Sequence, residues 1–267
     1  MKELLRWHLS RYPAMQIPLV PTADGPAGVR IETNTGIYTT AWPCATLLAC
    51  SMDPELIFEV GAGGGAEIRE NNIGIWLAPA LNIHRDPLCG RNFEYYSEDP
   101  LVAGKSAAAA TRGIQSQKVA VSIKHFAANN CELQRNFSSS NVSERALREI
   151  YLRGFEIAVK ESQPMCLMTS YNLINGIHSA NNYDICTITV REEWGFEGVV
   201  VSDWCAVENL SSAFQNGLDL EMTGNAKITV PALQKAMEKE DWKVANTIAD
   251  TINKTFSLYE IKQKVEI

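Results

Sequence analysis

The 267-residue sequence contains no apolar run long enough to cross a bilayer and no block of like charge. The first absence argues against a membrane protein. The second, together with a formal net charge of −7, argues against a protein that binds nucleic acids. The sequence also has no internal repeat, low-complexity segment or linker. We therefore expect a single domain over residues 1–267.

The seven cysteines are scattered along the chain and form no CxxC pair. Because no histidine cluster accompanies them, they argue against a metal site and a disulfide framework, and they favour a reducing compartment. The first fourteen residues lack the apolar core of a signal peptide, since Lys2, Glu3, Arg6 and Arg11 interrupt them. We therefore predict a cytoplasmic protein whose four Asn-x-Ser/Thr triplets are chance matches.

Short apolar runs alternate with segments of helical period, which is the pattern of parallel strands joined by crossover helices. A length of about 250 residues is also typical of one α/β barrel. The sequence therefore predicts a TIM-like (β/α)8 barrel. Its predicted strands are Ile17–Val20, Ile73–Leu81, Val119–Lys124, Met165–Tyr171, Val199–Asp203 and Leu218–Met222. Its predicted helices are Pro54–Glu70, Leu101–Ile114, Val142–Glu161 and Asp241–Lys264.

The segment GVVVSDW, from Gly198 to Trp204, is the most informative one. Its three valines suit a parallel strand buried on both faces, and they lead directly into a carboxylate and an indole. Burying a lone carboxylate is costly, so Asp203 needs hydrogen bonds, nearby cations or an open cleft. It could also simply cap the next helix.

Polar side chains follow other predicted strands as well. Lys124 and His125 follow one strand, Tyr171 and Asn172 another, and Asp24 the first. The carboxyl ends of barrel strands meet at one face, so we expect these groups to share a pocket, although any one of them could be structural. Charged groups and an indole together suit a sugar, whose hydroxyls take hydrogen bonds while its C–H face stacks on a ring.

Five motifs occur in order along residues 15–225. They are TADGPAGVR (Thr22–Arg30), APALNIHRDPLCGRNFEYYSEDP (Ala78–Pro100), VSIKHFAANN (Val121–Asn130), MTSYNLING (Met168–Gly176) and GVVVSDW. Together they resemble the barrel domain of family-three glycoside hydrolases, and the β-glucosidase branch in particular. Five motifs that match in the same order rarely occur together in one chain by chance.

The resemblance implies a retaining, exo-acting β-glycosidase that removes terminal nonreducing sugars through a covalent glycosyl-aspartate, without metal or organic cofactor. It implies that Asp203 is the nucleophile and that Trp204 forms the floor beneath the sugar. Arg30 is a nearby orienting charge. The positions that match the family's hydroxyl-binding residues are Asp24, Arg91, Lys124, His125, Arg135 and Tyr171.

Charge supports the assignment of Asp203. Lys124, Arg91 and Arg135 supply positive potential that would keep it ionised. Glu94 and Asp99 share a motif with Arg91, and we expect them to act as an ion-pair partner and a helix-start acid.

The resemblance leaves the acid/base glutamate unidentified. In the β-glucosidase branch it comes from a sandwich domain downstream of the barrel, which we expect to be absent from this chain. Glu221 is the nearest local substitute by topology. The segment FAANNCELQRN lacks the His–Asp pair of the branch that cleaves N-acetylglucosamine.

The chain starts late for the family, which leaves open whether the barrel is complete at its N-terminal edge. An unpaired edge strand would invite a partner chain or a second copy of this one. The motifs do not determine the sugar or the linkage.

Two other interpretations stay open. The barrel could be a sugar-binding or scaffold module without turnover. Lys124 could instead be the Schiff-base lysine of an aldolase. The glycine-rich run Gly61–Gly65 follows no strand and lies within a helical pattern, so nucleotide binding is disfavoured.

Overall fold

The computed structural model describes residues 20–31 and 35–223, together with the single positions 231 and 251. The strands, in chain order, are β1 (Thr22–Ala23), β2 (Ile75–Trp76), β3 (Ala120–Phe126), β4 (Ser139–Ser140), β5 (Cys166–Thr169), β6 (Leu173–Ile174), β7 (Ile177–His178) and β8 (Val199–Val201). Five of them form a parallel sheet in the order β1-β2-β3-β5-β8. A parallel bridge between Val201 and Leu220 extends it by a sixth strand position. Each central strand lies beside the next one in sequence, as in the successive βα units of a barrel.

Helices connect these strands. They are α1 (Ala45–Cys50), α2 (Pro54–Glu70), α3 (Pro100–Ser116), α4 (Glu144–Ala146), α5 (Arg153–Ser162) and α6 (Leu210–Gln215). A π-helical turn at Leu147–Tyr151 joins α4 to α5, and a ten-residue π-helical segment spans Asp184–Glu193. Both α2 and α3 begin with proline after an aspartate whose carboxylate accepts main-chain N–H bonds, which are strong local start signals.

The central strands are buried on both faces, and all seven residues of β3 are buried. Their side chains alternate between two apolar layers. Val121, Leu167 and Val200 belong to the larger layer, which also contains residues of α3 and α5. The inner layer contains Val20, Ile75, Leu77, Ala120, Met165, Cys166, Met168, Val199, Val201 and Met222. The valine run of β8 therefore needs no polar alternation, because both of its faces pack against apolar groups.

The structure confirms most of the predicted elements. Three predicted strands contain β2, β5 and β8, and the predicted strand Leu218–Met222 contains the bridge at Leu220. The predicted strand Val119–Lys124 overlaps β3, which continues to Phe126. The helix Pro54–Glu70 has the predicted bounds, Leu101–Ile114 lies within α3, and Val142–Glu161 corresponds to α4, the π turn and α5.

Two predicted elements fall on residues that are not described. The predicted strand Ile17–Val20 lies outside the described residues apart from Val20, and β1 follows it at Thr22–Ala23. The predicted helix Asp241–Lys264 also lies outside them, apart from position 251. Within the described part of the chain, no helix combines the length and hydropathy that a membrane span requires.

The small sheet β4-β6-β7 was not predicted, because two-residue strands of mixed polarity carry no periodic signal. It lies in the loops that follow β3 and β5. Asn172 anchors this region, since its side-chain amide donates to Ala127 O at 3.2 Å. Asn172, which follows the predicted strand Met165–Tyr171, is therefore a structural residue of the loop.

Asp219 ties β8 to the segment Asp184–Glu193. Its Oδ2 accepts a hydrogen bond from Val200 N at 2.7 Å and another from the guanidinium of Arg191. Arg191 also donates to the carbonyl oxygens of Phe196 and Gly198, at 3.0 and 2.6 Å. These bonds hold β8, the strand that ends two residues before Asp203.

Replacing Asp219 with alanine should lower the free energy of unfolding by about 3 kcal/mol, because the largely buried Arg191 loses its carboxylate partner and the Val200 N–H loses its acceptor. Denaturant unfolding followed by circular dichroism measures the loss. The control is Asp184→Ala, at an exposed aspartate of the same helical segment, for which we expect a change within about 0.5 kcal/mol. Equal losses in the two variants would contradict the role given to Asp219.

Candidate active site

Alternation along the strands brings three charged side chains to one face of the sheet. Val199 and Val201 belong to the inner layer, so Asp203 continues their series two residues beyond β8. In β3, Lys124 lies four residues after Ala120 of the inner layer, so alternation places the two side chains on the same face. Asp24 follows Val20 and β1 at the same even spacing. All three lie at or just beyond the carboxyl ends of parallel strands, where the sequence predicted a shared pocket.

Asp203 is a buried carboxylate with two different oxygens. Oδ1 accepts a hydrogen bond from the main-chain N–H of Trp204 at 2.7 Å. Oδ2 is buried and has no hydrogen-bond partner at ordinary distance among the described residues. The nearest cation-forming atom recorded for Oδ2 is Nε2 of His125, at 3.7 Å. The carboxylate is thus oriented through one oxygen, which leaves the other available to a ligand.

Burial raises the pKa of Asp203 above its ordinary value. The positive charge of Lys124, the N–H of Trp204, the positive charge of Arg91 and the hydroxyl of Tyr171 act in the opposite direction but do not outweigh burial. The sequence predicted that Lys124, Arg91 and Arg135 would favour the ionised form. Lys124 and Arg91 do lower the pKa of Asp203, but burial, which that prediction left out, is the larger effect. A carboxyl group whose pKa is perturbed in this way is more typical of a functional site than of a helix cap.

Lys124 and Asp24 form an ion pair, and the charge of Lys124 also acts on Asp203. The Lys124 ammonium is buried and donates to Oδ1 of Asp24, while Arg30 Nη1 lies 3.5 Å from Oδ2. Burial alone would raise the pKa of Asp24. The charge and hydrogen bond of Lys124, with smaller contributions from Gly25 and Arg30, outweigh burial, so the pKa is lower than its ordinary value. Asp24 is therefore an ionised acceptor. Because the Lys124 amine is engaged as a donor, it is poorly placed to attack a carbonyl as an aldolase lysine.

Arg91 lies on the other side of the site, in the loop after β2. Its Nε donates to Oε1 of the buried Glu94 at 2.5 Å, and this pairing raises the pKa of Arg91 although burial alone would lower it. Glu94 therefore has the ion-pair role expected from the sequence. Asp99 caps α3 through the N–H of Leu101 at 2.6 Å, again as expected.

His125 is held by its main chain and is buried. Its N–H donates to Oδ1 of Asn82, and its carbonyl accepts from the amide of the same side chain, both at 2.8 Å. Burial lowers the pKa of His125 well below its ordinary value, and the positive charges of Arg91, Lys124 and Arg135 lower it further. The imidazole is therefore neutral, and its contact with Asp203 is not an ion pair.

Arg135 and Tyr171 stack at the rim. The guanidinium carbon of Arg135 lies 3.9 Å from the centroid of the Tyr171 ring, within the range of a cation–π contact. Burial raises the pKa of Tyr171, and the negative charge of Asp203 raises it further, so the phenol keeps its proton.

Trp204 and Glu221 complete the predicted residues. Trp204 is half-buried and packs against the inner layer, as does Leu220. Because Leu220 and Met222 both contact the inner layer, strand alternation puts Glu221 on the opposite side from Asp203. That placement argues against Glu221 as the partner acid.

Several residues that support the site were not singled out from the sequence. They are Asn82, Tyr95, Asn129 and Glu132. Asn82, Tyr95 and Asn129 lie inside the quoted motifs, and this position was the one sequence feature that could have indicated a role in the site. Their polar side chains act through other residues, so strand-end position alone does not identify them. Among the described residues, no group of three His, Cys, Asp or Glu side chains could hold a metal ion.

Comparison with known proteins gives consistent matches. Residues 5–264 match the model of the glycosyl hydrolase family 3 N terminal domain. The chain is 51% identical over 231 residues to beta-glucosidase A of Butyrivibrio fibrisolvens, a match that covers 86% of this chain and 28% of that protein. It is 43% identical over 225 residues to the exo-alpha-(1->6)-L-arabinopyranosidase of Bifidobacterium longum, which covers 81% of this chain and 30% of that protein.

The structural comparison agrees. The chain resembles beta-glucosidase 3B from Thermotoga neapolitana in complex with alpha-D-glucose, with a TM-score of 0.89 and 42% identity over 97% of this chain. It spans 39% of that structure, compared with 28% and 30% of the two relatives above. These matches confirm both the predicted TIM-like α/β fold and the resemblance carried by the five motifs. The protein belongs to glycoside hydrolase family 3, in which it corresponds to the N-terminal barrel domain.

Proposed function

We propose that this barrel carries the nucleophile of a retaining, exo-acting β-glycosidase, and that Asp203 attacks the anomeric carbon of a terminal nonreducing sugar. The observation that carries the proposal is the asymmetry of the Asp203 carboxylate. Oδ1 is fixed by the Trp204 N–H, whereas the buried Oδ2 has no hydrogen-bond partner among the described residues. A desolvated, oriented oxygen at the carboxyl end of a barrel strand is suited to attack.

The neighbouring groups suit the hydroxyls of the same sugar. Asp24 is ionised and can accept hydroxyl protons, while Lys124 and Arg91 donate. The neutral His125 presents a ring nitrogen near Asp203. Trp204 adjoins the nucleophile and offers an indole face for the C–H side of the ring.

The first step forms a bond between Oδ2 and the anomeric carbon and breaks the bond to the leaving oxygen, which needs a proton from an acid. Asp24 is a poor acid because its pKa is lowered, and Glu94 is paired with Arg91. We propose that the acid/base carboxyl comes from sequence outside the described residues. The relatives named above are about three times as long as the part that this chain matches.

A β-glucoside is the substrate class that we propose, since one relative is named a beta-glucosidase and another holds glucose. The arabinopyranosidase shows that a chain this similar can act on a different sugar. A sugar-binding scaffold without turnover would not need a carboxylate kept buried with a raised pKa. The cytoplasmic location, and a partner chain or second copy at the barrel edge, stay predictions.

The first test is covalent labelling by 2-deoxy-2-fluoroglucosyl fluoride. Fluoride leaves without a proton, so labelling requires the nucleophile and not the acid. The intact chain should gain the mass of one fluoroglucosyl group on Asp203, whereas Asp203→Asn should gain none. Intact-mass measurement and peptide mapping detect the adduct. Asp184→Asn is the matched control and should label normally; an adduct at another residue would remove Asp203 from the nucleophile role.

The pH dependence of labelling follows from the raised pKa of Asp203. Only the ionised carboxylate attacks, so the labelling rate should fall as the pH drops through this pKa. Because burial holds that pKa above the ordinary aspartate value of 3.8, the loss should begin at a higher pH than for an exposed aspartate. Initial labelling rates measured across the acid range test this. A rate that stays constant down to pH values below about 4 would contradict the assigned environment.

Trp204→Ala should weaken glucose binding by about 1 kcal/mol or more, because the sugar loses its stacking surface. Isothermal calorimetry with glucose measures the change. Trp204→Phe keeps an aromatic face and should retain most of the affinity. Equal affinity in the wild type and the alanine variant would show that the indole does not contact the sugar.

A further inference from the structure

Glu132 lies in the loop after β3 and binds two side chains at once. Its Oε1 accepts a hydrogen bond from Nδ2 of Asn129 at 3.0 Å, and its Oε2 accepts one from Nη1 of Arg135 at 2.9 Å. An Arg–Glu pair three residues apart on a surface contributes little by itself. Glu132 differs from such a pair because its second partner, Asn129, is completely buried.

Asn129 begins a chain of hydrogen bonds that ends at His125, beside the candidate nucleophile. Its Nδ2 also lies 3.3 Å from the hydroxyl of Tyr95, and that hydroxyl lies 3.3 Å from Nδ1 of His125. On the far side of the imidazole, Nε2 is 3.7 Å from Oδ2 of Asp203. Tyr95 and His125 are both buried, so water does not compete for these bonds.

The direction of these bonds follows from what each group can donate. A carboxylate only accepts, so Glu132 requires the amide nitrogen of Asn129, not its oxygen, to face it. The same nitrogen then points a proton at the Tyr95 oxygen. Burial raises the pKa of Tyr95 well above its ordinary value, so the phenol keeps a proton. That proton is directed to Nδ1 of His125, which must therefore be an acceptor.

A neutral imidazole with Nδ1 as acceptor carries its proton on Nε2. The site-facing nitrogen of His125 is thus a donor, directed at the oxygen of Asp203 that lacks a partner. In the opposite tautomer, Nε2 would present a lone pair toward a carboxylate, which is unfavourable.

The second arm of Glu132 acts on the rim. Arg135 donates to Oε2 and lies over the Tyr171 ring, whose phenol interacts with Asp203. Loss of the Glu132 carboxylate would release both arms, since no other carboxylate among the described residues forms an ion pair with Arg135.

We propose that Glu132 is a positioning residue, which fixes the Nε2–H form of His125 through Asn129 and Tyr95 and holds Arg135 over Tyr171. The hydrogen-bond relay stands on the geometry of this chain alone. Its consequence, a donor aimed at a sugar hydroxyl or at the nucleophile, rests on the proposed function.

The test is the tautomer of His125, read from the imidazole nitrogen shifts of the intact ¹⁵N-labelled chain without ligand. The sequence holds four histidines, and His125→Gln identifies the resonances by their loss. The wild type should show a protonated Nε2 and an unprotonated Nδ1. In Glu132→Gln the new amide can accept only one of the two donors and competes with Asn129, so the tautomer ratio should move about three- to tenfold toward Nδ1–H.

Glu156→Gln is the matched control. Glu156 also pairs with an arginine three residues away, and its side chain is 22% exposed against 23% for Glu132. It lies on α5, outside the relay, so its substitution should leave the His125 tautomer unchanged.

Three results would overturn the proposal: a wild-type His125 protonated at Nδ1, an unchanged tautomer ratio in a folded Glu132→Gln, or an equal shift in Glu156→Gln. Should Glu132→Gln fail to fold, Tyr95→Phe carries the test, because it removes only the hydroxyl that donates to Nδ1, and an unchanged tautomer there overturns the relay. Fluoroglucosyl labelling of the same wild-type sample separates the two proposals. A wild type that shows the expected tautomer but no labelling counts against the glycosidase function and leaves the relay intact.

Discussion

The desolvation of one carboxylate, Asp203, is the constraint on which the rest of the site depends. The valines of β8 are buried on both faces, and the residue that continues their inner series is an aspartate with a 10% exposed side chain. Burial destabilises its charged form, and that cost is reduced by cations and hydrogen-bond donors near the carboxyl ends of the neighbouring strands. The site is built largely from such groups.

Among the described residues, the cations near Asp203 offset its negative charge without a direct hydrogen bond to its Oδ2. The Lys124 ammonium donates to Asp24 and lowers the pKa of Asp203 through its charge, while Oδ2 of Asp203 has no hydrogen bond within the described part of the chain. Arg91 is similarly anchored on Glu94. Each cation therefore has its own carboxylate partner. The arrangement supplies positive potential without occupying the oxygen that a ligand would meet.

The sequence predicted the parts of this structure that depend on local pattern. Apolar runs of strand length identified β2, β3, β5 and β8, and helical period identified α2 and α3 within a few residues. Strand-end position identified Asp24, Lys124 and Asp203, because alternation and parallel order bring such residues together. Glu132 and Tyr95 could not be found in this way. Tyr95 acts through contacts between separate loops, and neither spacing nor composition encodes a hydrogen bond that joins residues 30 or more positions apart. Glu132 contacts Asn129 and Arg135, each three positions away, but in an irregular loop that spacing carries no periodic signal.

The same electrostatics explain why an acid is poorly placed among these residues. A retaining mechanism needs one carboxyl ionised and another protonated about 5 Å away. The cations around Asp203 lower the pKa of nearby carboxyl groups, and Asp24 is the case in hand, since Lys124 and its other partners reverse the effect of burial there. A proton donor in the same cluster would lose its proton for the same reason. The nucleophile and the acid are thus best supplied from opposite sides of the sugar by separately built environments, and a barrel that concentrates cations around Asp203 is suited to supply only the first.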